Sequence, residues 1–314
     1  MKNILSKLLF LVYFLPPPAN AGLLSIDDAL RATYTACINI DNEISHLKTM
    51  AGINTAVTAV GTAAGAGAIT VGFIKANKDE LIEKLEMEKL KKIEESGINS
   101  GSKNPPSDQV LAAADNYFTI NQSNTSEIDS EIEQLNKQSK QLGNWRTGLL
   151  AANTATNIAG AAIAGTNKVD QDLNNQIQNC ISSVKNLRNA IMQARINGEN
   201  VSEAETIANA CGEYEYVDIS KINKRGTGAM ISSTIGAATG LAGTVTSGIA
   251  NDDNTRNNNT INGKQREKTL NTAANALSIG ATAASVTATV FNATQIAAIK
   301  KVAAVSEKCT GVLK

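Results

Sequence analysis

The chain has 314 residues, with 29 lysines and arginines against 29 aspartates and glutamates, so it lacks the basic footprint of a nucleic-acid binder. Aromatic residues make up only 4% and prolines number 5, while alanine, glycine, threonine, asparagine and serine dominate. That composition excludes a sheet built on aromatic and β-branched side chains and predicts an all-α fold.

Residues 1–21 read as a secretory signal peptide. Lys2 and Lys7 precede the apolar run 8–15, prolines break the run, and Ala19-Asn20-Ala21 supplies a small-residue cleavage pattern. The run is about half of the roughly 20 residues that a membrane anchor needs. The mature chain, 22–314, is expected to be one helical domain in an oxidising setting, periplasmic or extracellular and open to membrane association. Asp27 and Asp28 suit a helix N-terminus better than paired acid–base work, because adjacent side chains diverge.

After Cys37 comes the only histidine, His46. One histidine cannot build a two-histidine metal site, and a serine or cysteine triad would need it as base. With no phosphate-loop pattern either, the sequence predicts no enzyme, no catalytic residue and no small-molecule substrate.

Residues 51–74 form the first of four long stretches of small and apolar residues, and carry no charge. Such a stretch is too long for a strand and lacks proline, so it reads as helix. Gly61 and Gly65 stand four apart on one face, the spacing that lets helix backbones approach closely. A charged arm, 78–96, holds Leu81, Leu85, Leu90 and Ile93. Then 96–109 reads as a turn or flexible tip, and 125–145 carries Ile128, Ile132, Leu135 and Leu142 at heptad-like spacing with Ser139 in one place. The second small-residue helix, 147–165, completes an antiparallel hairpin of about 38–179.

The connector, 180–211, reads as helix, turn, helix. Ile181, Val184, Leu187 and Ile191 recur at helical spacing, 196–200 is turn chemistry, and Val201, Ala204, Ile207 and Ala208 resume the period, with Ser202 and Glu205 as a capping box. Four cysteines in an exported chain predict two disulfides, and their spacing matches no metal motif, so no metal or cofactor is expected. Two helices of similar length would bring Cys180 to Cys211, leaving Cys37 for Cys309.

The second hairpin, about 212–314, holds the third and fourth small-residue helices, 229–250 and 270–299, with Gly236 and Gly240 repeating the four-residue spacing. Between them 251–268 is strongly polar and reads as an exposed, mobile loop.

The resulting expectation is an exported, non-enzymatic structural or interaction protein of a bacterial envelope or exterior, with a protein partner or self-association. The alternative is a membrane-inserting hairpin protein that oligomerises through its glycine ridges. For insertion stand the lengths, the absence of charge and the glycine pairs, the first and third stretches being the best candidates. Against it stand Asn153, Asn157, Asn271, Asn275, Asn292 and Gln295, which would need partners at membrane depth, and a single tryptophan, Trp145, where an aromatic belt is usual.

Overall fold

Ser25 opens the first helix: its hydroxyl accepts from the Asp28 amide at 3.2 Å, and Asp27 and Asp28 place negative charge in the first turn, where the helix dipole favours it. In the computed structural model, residues 25–99, 109–256 and 261–314 are described, with side chains over 25–95, 125–256 and 263–314. The expected signal peptide 1–21 and most of the hairpin tip lie outside the described residues. The elements are α1 (Ile26–Cys37), α2 (Ile40–Asn99), α3 (Gln109–Thr166), α4 (Gln171–Ile196), α5 (Ser202–Gly212), a 3-10 turn at Glu213–Tyr216, α6 (Ser220–Asn251), one helical turn at Asp253–Arg256, and α7 (Ile261–Leu313). No strand occurs among the described residues, and the fold is all-α as the composition predicts.

Two local expectations change. Ser202 is not a cap but the first residue of α5; Val201 precedes it without a side-chain cap, and Asn200 Oδ1 accepts from the Ser202 amide at 3.1 Å instead. Glu205 pairs with Arg195 across the turn, which leaves it no capping role. The 251–268 stretch is not a loop along its length, because α7 already begins at Ile261. Lys264 and Lys268 pair with Glu86 and Glu83 of α2, so these polar residues extend the helix rather than interrupt it.

The contacts divide the chain into two compact units. One comprises Met1–Lys48, described from residue 25, with Val169–Ile222 and Ala297–Lys314; the other comprises Thr49–Lys168 and Asn223–Ile296. In the first, α1 packs on α4 and α4 on α5. Its interior is conventionally apolar: Ile40, Ile44, Ile177, Val184, Leu187 and Ile299 are buried. Tyr214 is buried with them, and its phenol is pushed up to about 12 by burial, with the Ser306 hydroxyl acting in the opposite sense.

Both disulfides lie in this unit, and their pairing corrects the expected one. Cys37 is joined to Cys180 and Cys211 to Cys309, with Cα–Cα distances of 4.9 and 4.5 Å. The cause is helix length. From the Ile196 end of α4 back to Cys180 is about 24 Å of helix, whereas Cys211 stands only about 14 Å into α5. Cys211 is therefore level with Arg188, whose guanidinium lies against the neighbouring Gly212, and Cys180 is two turns further on.

The second unit is an antiparallel four-helix bundle. Close approaches pair α2 with α3 (Gly61 at Thr156), α2 with α7 (Gly65 at Thr282), α3 with α6 (Gly240 at Thr154) and α6 with α7 (Gly243 at Leu277). Along α6 the buried residues Gly226, Ala229, Ser233, Gly236, Gly240, Gly243 and Ser247 alternate steps of three and four. That is the period that keeps one seam facing its neighbours.

Candidate functional site

In the charge-free parts of the second unit the seam of α2 and α7 is polar and small, while α3 adds the buried Leu150. On α2 it consists of Ala51, Asn54, Thr58, Gly61, Gly65, Ala68, Gly72 and Lys75; on α7 it runs Asn271, Ala274, Ser278, Ala281, Ser285, Ala288, Asn292 and Gln295. Not one large aliphatic residue stands in either series. The expected packing glycines, Gly61, Gly65, Gly236 and Gly240, all lie on the seam, but glycine does not meet glycine. A Cβ on Gly61 would fall on Thr156 Oγ1, one on Gly65 on Thr282 Oγ1, one on Gly236 would stand 2.8 Å from Asn157, and one on Gly240 2.5 Å from Thr154 Oγ1. Each glycine receives a threonine or asparagine from the next helix, so the ridges are taken up inside the bundle.

The six polar residues that counted against membrane depth all turn inward and each makes at least one hydrogen bond, although Asn153 Nδ2 and Asn157 Oδ1 are left without one. Asn157 donates to Asn153 Oδ1 and to Ser285 Oγ, both at 2.8 Å, and Ser285 Oγ donates to Asn153 Oδ1 at 2.9 Å. Asn292 accepts from Asn54 at 2.8 Å and donates to Thr58, and Gln295 donates to the Asn167 carbonyl at 3.0 Å. Asn271 and Asn275 accept from the two terminal nitrogens of Arg146 at 2.9 and 3.0 Å, while Arg146 Nε donates to Ser247 Oγ at 2.9 Å. The guanidinium is fully buried and joins α3, α6 and α7 in one plane, geometry that its rigid fork suits.

Past the level of Arg146, α2 carries the buried Lys75 into a half-buried ion cluster. Lys75, 1% exposed, is 2.6 Å from Asp79 and 3.6 Å from Glu267, Asp79 also accepts from Ser139, and Arg256 is 3.9 Å from Glu267. Burial lowers the Lys75 ammonium below its ordinary range and raises the Glu267 carboxyl above its own, with the opposite charges resisting both. Ser139, the odd place in the α3 heptad, is the residue that admits this cluster.

Outside, the order is reversed. Large apolar side chains face away from the bundle: Ile53, Val60, Phe73 and Ile74 on α2, Ile158 on α3, Ile231, Ile235, Leu241, Val245 and Ile249 on α6, and Ile279, Val286 and Val290 on α7. Trp145 is 69% exposed beside Arg146, where charge resumes on α3. The charge-free segments are 49–74, 147–167, 226–251 and 269–299. The shortest, at about 31 Å of helix, matches the roughly 30 Å hydrocarbon thickness of a bilayer.

Among the described residues two helices, α2 and α7, are long and apolar enough to cross a membrane by length and composition. The sequence favoured the first and third stretches; the fourth takes the place of the third because serine and glycine dilute α6. His46 is exposed on α2 with no nucleophile or metal-ligating group assembled around it among the described residues. No family model, no curated protein and no solved structure matches the chain.

Proposed function

We propose that the chain is an exported, non-enzymatic membrane protein whose second unit is embedded as a four-helix bundle and whose disulfide-tied unit stands on the oxidising side. The single observation that carries this reading is the inversion of the bundle, with asparagine, serine and glycine in the seam and isoleucine, valine and leucine on the outside. In water that arrangement forgoes about 1.5–3 kcal/mol for each large apolar side chain left uncovered. In lipid it is the expected one, since small residues let helices approach and inward polar groups satisfy each other. An even number of crossings returns the chain to its starting side, which agrees with four oxidised cysteines in segments flanking the same ends of the four helices.

The composition of α3 and α6 favours a second reading, in which the bundle stays in water as a structural protein and its apolar face meets a protein partner. Sodium carbonate extraction of membranes from cells expressing the full chain separates the two. The membrane reading expects the protein in the pellet at pH 11 and soluble only with detergent. A monodisperse protein recovered in the aqueous fraction would refute it and leave the second reading.

A further inference from the structure

The two disulfides are neighbours. The Sγ atoms of Cys37, Cys180 and Cys309 lie within 4.8 Å of one another, and Cys211 is bonded to Cys309, so all four sulfurs form one cluster delivered by α1, α4, α5 and α7. All four residues are fully buried. Thiol–disulfide exchange proceeds by attack of a thiolate on a disulfide sulfur, and inside a folded protein access decides whether it occurs. Here a Cys309 thiolate would need to move less than about 3 Å to reach bonding distance of either sulfur of the other bridge, a shift of the order of one χ1 rotation.

We infer that the cluster is an exchangeable set in which Cys309 is the shared partner, so that the bridge left after partial reduction migrates among Cys37, Cys180 and Cys309. The steps balance with an external dithiol as reductant. The dithiol is oxidised to its own disulfide and leaves Cys211 and Cys309 as thiols. Deprotonated Cys309 Sγ then attacks Cys37 or Cys180, one S–S bond forms as another breaks, and the displaced cysteine leaves as the thiolate and takes up the proton. The chain keeps one bridge throughout. Its consequence is that the C-terminal part of α7 becomes tied to α1 or α4 when its bond to α5 is lost. This inference does not rest on the membrane reading, because the cluster lies wholly within the other unit.

The test is the pairing in the full chain carrying Cys211→Ser, trapped with N-ethylmaleimide in acid and mapped by non-reducing peptic digestion and mass spectrometry. The expected result is a Cys37–Cys309 or Cys180–Cys309 peptide in more than about a tenth of chains, as for bridges of comparable stability. Finding Cys37–Cys180 alone, with Cys309 alkylated, overturns the inference. Should the variant fail to fold, the wild-type chain treated with one equivalent of dithiothreitol and mapped in the same way decides: crossed pairs with Cys309 support it, and native pairs with free thiols alone overturn it.

Discussion

Single residues in the seam carry consequences that their helix propensities do not predict. Alanine is a better helix former than glycine by about 1 kcal/mol, so glycine replacement should stabilise any helix whose surroundings leave room. Gly280 on α7 has nothing within 4 Å of a Cβ position, whereas Gly236 on α6 has three Asn157 atoms between 2.8 and 2.9 Å. Gly280→Ala is therefore expected to raise stability by up to about 1 kcal/mol. Gly236→Ala is expected to lower it by about 1–3 kcal/mol, because Asn157 must leave its bonds to Asn153 and Ser285. Denaturant unfolding of the two variants side by side checks this, and equal effects would refute it. Arg146→Ala strands the acceptors on Ser247, Asn271 and Asn275 and should cost about 3–5 kcal/mol; Arg146→Lys should recover little, since one ammonium cannot span three helices. The glycine pairs were legible in the sequence as ridges. What fills them was not, because a four-residue spacing records a gap without recording the threonine or asparagine that another helix brings to it.

At the scale of elements, α2 and α7 meet in the Lys75–Asp79–Glu267 cluster, and its shifts give a pH dependence with a definite sign. Glu267 is raised on folding by burial, so its contribution is fully present below the ordinary carboxylate range and is lost as pH rises through the raised folded value. Lys75 is lowered by burial, so its contribution is present above the ordinary lysine value and is lost as pH falls through the lowered folded one. Raising the pH from about 4 toward neutrality should therefore reduce bundle stability through Glu267, and Glu267→Gln should flatten that slope. Unfolding curves across this range measure it, and an unchanged slope in the variant would place the dependence elsewhere. The long helices were readable as four small-residue stretches running into charged flanks, but of their seam only Gly61, Gly65, Gly236 and Gly240 were. The disulfide pairing was not, because it depends on α4 being 26 residues and α5 only 11, and periodicity fixes where a helix faces better than where it stops. The start of α7 inside a polar stretch escaped for a related reason, since Lys264 and Lys268 are held in helix by Glu86 and Glu83 from a distant part of the chain.

For the whole molecule the deciding quantity is the medium around the outer face, and a lysine placed there reports it. Val60 on α2 and Leu241 on α6 stand near the middle of their charge-free segments and are 61% and 59% exposed. In water an exposed valine or leucine accepts lysine with a stability change within about 0.5 kcal/mol. At the centre of a bilayer the same exchange costs about 3 kcal/mol, because a charged head at that depth must be dehydrated or drawn to the interface. The membrane reading thus expects Val60→Lys and Leu241→Lys each to move protein from the carbonate pellet to the supernatant, or to lower its yield in the membrane severalfold. Met192→Lys, at an exposed position of α4 in the disulfide-tied unit, should leave partitioning unchanged and serves as the matched control. If both bundle variants partition as wild type does, the outer face is not in lipid, and its isoleucines and valines await a protein surface. On the membrane reading the first outcome is expected, because a bundle that hides asparagine and arginine and shows isoleucine to its surroundings suits a medium more apolar than its own interior.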